Sequence, residues 1–151
     1  MRSILLLLIF ITGGATLFGQ KRNISFQLNI HRTRVPVIID GIQNDLAWQN
    51  AEPATDFFMV LPMDTSKASL QTEVKMAYDD HNIYLLATCF AKGTDMVESL
   101  RRDFSFTKND NFLLFIDPFQ DGTNGFSFGA NAAGAQWDGL MYEGGKVDLS
   151  W

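Results

Sequence analysis

From Thr72 onward apolar and other positions interleave with a period of two: Val74, Met76 and Tyr78 fall between Glu73, Lys75 and Ala77. Asp79-Asp80-His81-Asn82 then interrupts, and Ile83-Tyr84-Leu85-Leu86-Ala87-Thr88-Cys89-Phe90 follows. Successive strand side chains point to opposite faces, so this pattern predicts a β-hairpin closed by a four-residue loop. The second half of the hairpin is apolar on both faces, as is Phe112-Leu113-Leu114-Phe115-Ile116. Two-sided apolar strands are expected in the middle of sheets with cover on each side, which implies two packed layers.

The same reading places other strands less firmly. Ile24 to Ile30 alternates apolar and polar without error, and Val35 to Ile39 runs apolar into the Asp40-Gly41 turn signal, with Pro36 confining that strand to an edge. Further strands are expected at 125–130, around 136–138, and at 146–151 after Gly144-Gly145. Helix is scarce. Leu46 to Ala51, with Asn44 or Asp45 as cap and Pro53 as stop, allows one or two turns, and Met96 to Arg102 a second short one. Short strands separated by turn residues predict an all-β fold: an immunoglobulin-like or jelly-roll β-sandwich with one or two short helical turns.

The N-terminus has a different character. Met1-Arg2 supplies a positive charge, Ile4 to Ile11 an apolar run, and Gly13-Gly14-Ala15 a small-residue stretch, the three parts of a cleavable signal peptide. The run is too short to span a bilayer, which takes about 20 apolar residues. Cleavage is expected after Gly19, with Ala15 as the alternative, so residues 1–19 are read as signal peptide and 20–151 as one domain. Roughly 130 residues suffice for a single self-sufficient core. The only cysteine, Cys89, leaves the domain without an internal disulfide and without a lipid-anchoring cysteine near the cut, and its apolar strand predicts a buried small hydrophobe. With 12 Lys+Arg against 17 Asp+Glu, the formal charge of -5 gives no footprint for nucleic acid. Strand pattern continues up to Trp151, so the chain is expected to be part of something longer.

Taken in order, VIIDGIQNDLAW, QNAEPATDFF, TEVKMAYDDHNIYLLATCF and RRDFSFTKNDNFLLFIDPFQDGTNGFSFGANAAGAQWDG resemble the family 9 carbohydrate-binding module-like domain. More narrowly, they resemble the version at the N-terminus of Bacteroidetes envelope proteins, where it precedes an outer-membrane β-barrel. The resemblance covers about residues 35 to 151. The matching positions are Asp40, Gly41, Trp48, Tyr78, Asp79, Tyr84, Arg101, Arg102, Asp103, Asp117, Gly134, Gln136 and Asp138. One departure is Gly129 to Gly134, where the family usually has a valine and a proline around the asparagine. The resemblance implies a non-catalytic domain that binds poly- or oligosaccharide, located in the periplasm or at the outer membrane or cell surface, in a protein linked to carbohydrate catabolism. It also admits a structural alternative, a plug or docking domain for a following barrel in the same parent chain.

Candidate site residues follow from sugar chemistry: pyranose C–H faces pack on aromatic planes while hydroxyls seek polar partners. Trp137, flanked by Gln136 and Asp138 and joined by Arg102, is the candidate carbohydrate contact; Trp48 reads as core. Asp117 and Asp121 lie in an acidic loop whose oxygens suit calcium, although it lacks the alternation of an EF-hand loop. Arg101, Arg102 and Asp103 read as a structural ion-pair cluster. Asp79 and Asp80, adjacent in a loop, diverge too much for a glycosidase pair, and His31 and His81 have no partners at zinc-ligand spacing. No nucleophile-elbow, Walker or dinucleotide fingerprint occurs.

Overall fold

The computed structural model describes residues 26–60 and 66–151. The expected signal peptide and the first two residues of the Ile24–Ile30 strand lie outside them. Two sheets make up the fold. One has three strands in the order β1 (His31–Arg32), β2 (Thr72–Tyr78), β3 (Ile83–Cys89). The other has four: β4 (Asn111–Ile116), β5 (Gly125–Asn131), β6 (Gln136–Tyr142) and β7 (Lys146–Asp148). Among the described residues helix is limited to α1 (Leu46–Gln49) and a 3₁₀ turn at Phe106–Lys108. The expectation of an all-β sandwich with short helical turns holds.

The hairpin forms as the alternation requires. β2 and β3 pair antiparallel from Thr72 opposite Cys89 to Tyr78 opposite Ile83, leaving Asp79 to Asn82 as the loop. Parallel to β2 at its other edge runs the two-residue β1, and Ala54 extends that edge by exchanging both backbone hydrogen bonds with Val74 at 2.8 and 3.0 Å. In the second sheet all neighbours are antiparallel, joined by short turns.

Several expectations are corrected. β3 and β4 are edge strands, not central ones: among the described residues β3 pairs only with β2, and β4 only with β5. Neither contains a fully buried residue. Two-sided apolarity reports side-chain type; where the chain leaves one sheet for the other between Cys89 and Asn111, it supplies no further pairing partner. Residues 26–30 and 35–39 are irregular, with Ile38 and Ile39 exposed, because neither segment finds a neighbouring strand and Pro36 lacks an N–H for a ladder. The expected turn at Met96–Arg102 is irregular too, its backbone drawn instead into bonds with Asp110 and Asn109. Asp45 occupies the position before α1 but its side chain makes no cap. Cys89 is exposed, sitting at the end of an edge strand.

The core forms against one face of the four-stranded sheet. Trp137, 5 % exposed, packs with Phe104 and Ala135, and Leu113 and Val147 close around them. Phe115 meets the Trp137 ring edge-on at 6.3 Å. Gly129 lies directly opposite Trp137, and a Cβ there would collide with the Leu113 side chain and the Phe112 carbonyl, so glycine is required. Trp48, 4 % exposed, is buried on α1, which packs on β2.

A polar clamp ties the long 91–110 connection to this sheet. Asn109 Oδ1 accepts from the Glu98 and Ser99 amides, and its Nδ2 donates to the Ser105 carbonyl at 2.9 Å. Asn131 Nδ2 donates to the Ser99 carbonyl at 2.7 Å, while its Oδ1 accepts from the Ala133 and Ala135 amides. Both asparagines are buried, and each buried polar group needs such partners to avoid a desolvation loss of about 1–3 kcal/mol.

Candidate functional site

Pairing register sorts the four-stranded sheet into two faces, since residues opposite one another on neighbouring strands share a side. Leu113, Gly129 and Trp137 form one row of the core face. The other face carries Phe112, Ala130 and Gln136 in one row, Leu114, Phe128 and Asp138 in the next, and Ile116, Phe126 and Leu140 in a third. This second face is apolar yet open: Phe128 is 42 % exposed, and Leu140 and Tyr142 are also uncovered. Trp151 packs on Phe126 at 5.6 Å between ring centroids and is itself exposed.

The predicted residues divide between the faces. Gln136 and Asp138 lie on the open one, where Arg102 reaches them from the preceding connection. Its guanidinium pairs with Asp138, donates to Gln136 Oε1 at 3.4 Å, and lies 3.9 Å from the Asp103 carboxylate. Three of the four expected carbohydrate contacts are therefore brought together. Trp137 is the exception: one residue along a strand reverses the side chain, so it points into the core, with no face left for a sugar ring. The Arg102–Asp103 pairing read from the sequence is present, and Asp138 is the stronger partner.

Sequence reasoning missed the cleft that continues this face. A cavity of about 420 Å³ lies where the ends of the two sheets meet, with Phe112 and Ala130 as its floor. Leu70, Gln71 and Thr72 line it at the start of β2, Cys89 to Ala91 at the end of β3, and Asp95, Asp110 and Asn111 from the connection and the start of β4. The Met96 amide donates to Asp110 Oδ2 at 2.7 Å, and Asn111 donates to the Phe106 and Asn109 carbonyls. The lining comes from four stretches widely separated in the chain, so no local motif announces it. Its size is that of small-ligand sites, and its apolar floor with a few convergent polar groups is their usual make-up.

The two aspartates of the calcium expectation cap turns in the 117–124 loop. Asp117 accepts from the Phe119 and Gly122 amides, and Asp121 from the Thr123 and Asn124 amides and the Asn124 side chain at 2.7 to 2.8 Å. The Asn124 side chain and backbone, then Thr123, hold the Asp121 pKa at about 2. Both carboxylates thus serve as turn caps, and no group of three acidic, histidine or cysteine side chains among the described residues is arranged for a metal.

Asp79 and Asp80 are likewise structural. Asp79 Oδ1 accepts from the His81 and Asn82 amides at 2.7 Å, and Tyr84 donates its hydroxyl to Oδ2 at 2.7 Å. The His81 amide foremost, then Tyr84 and Asn82, lowers the Asp79 pKa to about 2, and the same bond raises that of Tyr84. Asp80 pairs with Arg32, so the two carboxylates serve different partners.

An open, partly aromatic sheet face bordered by fixed planar polar groups and ending in a cleft defines a β-sheet binding module. The family is shown by comparison: the carbohydrate family 9 binding domain-like model matches residues 39–139, two thirds of the 151-residue chain, and the chain belongs to that family. No curated protein matches it, and no solved structure does.

Proposed function

We propose that the chain is a non-catalytic glycan-binding domain of an exported envelope protein, serving the capture of poly- or oligosaccharides for catabolism. The observation that carries this reading is the continuity of the open face with the cleft. Phe112 and Ala130 belong to both, and the row they form ends at Gln136, beside Asp138 and Arg102. An exposed ring such as Phe128 offers a plane to pyranose C–H groups, while the amide of Gln136 and the paired Arg102 and Asp138 offer fixed donors and acceptors to hydroxyls. Export is supported by Met1-Arg2, the Ile4–Ile11 run and the small residues after it.

Retention of the purified chain on a broad glycan array, with no change in the length of the retained glycan, is the expected outcome. A folded chain that retains nothing contradicts the ligand, and shortened glycan contradicts the non-catalytic role. The breadth of exposed apolar surface at Phe128, Leu140, Tyr142 and Trp151 favours a second reading, a docking domain for a following outer-membrane β-barrel, since contiguous apolar surface of this kind also marks protein contacts. That reading gains if the array is empty.

A further inference from the structure

We infer that the cleft between the two sheet ends selects sugars by charge, accepting neutral and amino-substituted residues and rejecting uronic and sulfated ones. The inference rests on the glycan-binding reading above and adds the class of glycan. Two carboxylates, Asp95 and Asp110, stand on the cleft wall, and no lysine, arginine or histidine among the described residues lines it. Lys92 follows the lining residue Ala91 without itself taking part. Asp110 is fixed by the Met96 amide on Oδ2, and among the described residues its Oδ1 takes no hydrogen bond. The remaining polar lining, Gln71, Thr72, Asn111 and Asn131, is uncharged, and Phe90 and Phe112 supply apolar surface.

Basic side chains elsewhere do not reverse this balance. Arg102, on the adjoining face, is already paired with Asp138. Arg32 and Arg34 line a separate cleft beside the hairpin loop, where Asp79 and Asp80 match them in number. An anionic sugar entering between the sheets therefore meets two like charges with no counter-charge. A hydroxyl finds acceptors, and a protonated amine finds both acceptors and charge complementarity.

The test is calorimetric titration of the purified chain with three oligomers: a neutral glucan, its glucosamine counterpart and a uronate. Uronate binding about tenfold weaker than neutral is expected, a difference that shrinks in high salt, with the amino sugar at least as tight as the neutral one. Asp95→Asn together with Asp110→Asn should bring the three within about threefold. Because Asp110 also holds the Met96 amide, Asp95→Asn alone serves as a second variant and should close part of the gap. Equal binding of uronate and neutral oligomer by the unaltered chain, or a preference that survives both variants, overturns the inference while leaving glycan binding intact. Binding of none of the three overturns the glycan reading and the inference with it.

Discussion

The two faces of the four-stranded sheet are built from the same strands and do opposite work. On one, Trp137 is buried with Phe104 and Ala135 while Leu113 and Val147 close around it, and Gly129 and Gly139 leave the space that the Leu113 and Val147 side chains occupy. On the other, side chains of similar apolarity, Phe128, Leu140 and Tyr142, remain uncovered beside the Arg102–Asp138 pair. Apolarity alone does not separate core from open surface; cover does. The period of two lets one strand carry both tasks, with Gln136 and Asp138 outward and Trp137 inward.

That contrast can be broken from the core side first. Trp137→Ala removes the central ring of the buried cluster, and a loss of about 3–5 kcal/mol in unfolding free energy is expected from chemical denaturation. Next comes Asn131→Ala, which strands the Ser99 carbonyl and the Ala133 and Ala135 amides; about 2 kcal/mol is expected, read the same way. On the open face the balance inverts. Phe128→Ala should weaken glycan binding by about fivefold, near 1 kcal/mol, while the unfolding midpoint moves less than in either core variant.

The smallest expected effect lies in the hairpin sheet and depends on pH. The Asp79 pKa is depressed to about 2 from the 3.8 of a free aspartate, so the stabilisation that its ionised form gives the loop is present above about pH 4 and lost as pH falls through about 2. Protection of the His81 and Asn82 amides from hydrogen exchange should follow that curve. In Asp79→Asn, protection should be lower throughout and free of this transition.

Local pattern made some of this legible and not the rest. The hairpin was readable because alternation and an Asp/Asn-rich loop act within twenty residues, and the buried Trp48 followed from its place on a short helix. Gln136, Asp138 and Arg102 stand in the sequence as matching positions of the family and as candidate sugar contacts, and the structure brings their side chains together. The inward side of Trp137 is hidden in the sequence because which side a strand residue faces is fixed only once the register is known, while sugar-stacking chemistry favours the aromatic over its neighbours. The edge positions of β3 and β4 were hidden because apolar side chains on both faces say nothing about how many strands pair alongside. The cleft was invisible because Gln71, Asp95, Asp110 and Ala130 meet only through the chain's crossing from one sheet to the other.

The claim that the open face is the binding surface is tested most directly by side-chain NMR during titration with an oligosaccharide retained on the array. The ring of Phe128 and the side-chain amides of Gln136 and Asn111 should shift in proportion to occupancy, while the indole N–H of Trp137 moves little. Shifts confined to the hairpin-side cleft of Arg34 and His81, or to Trp137 with Phe128 and Gln136 silent, would contradict it.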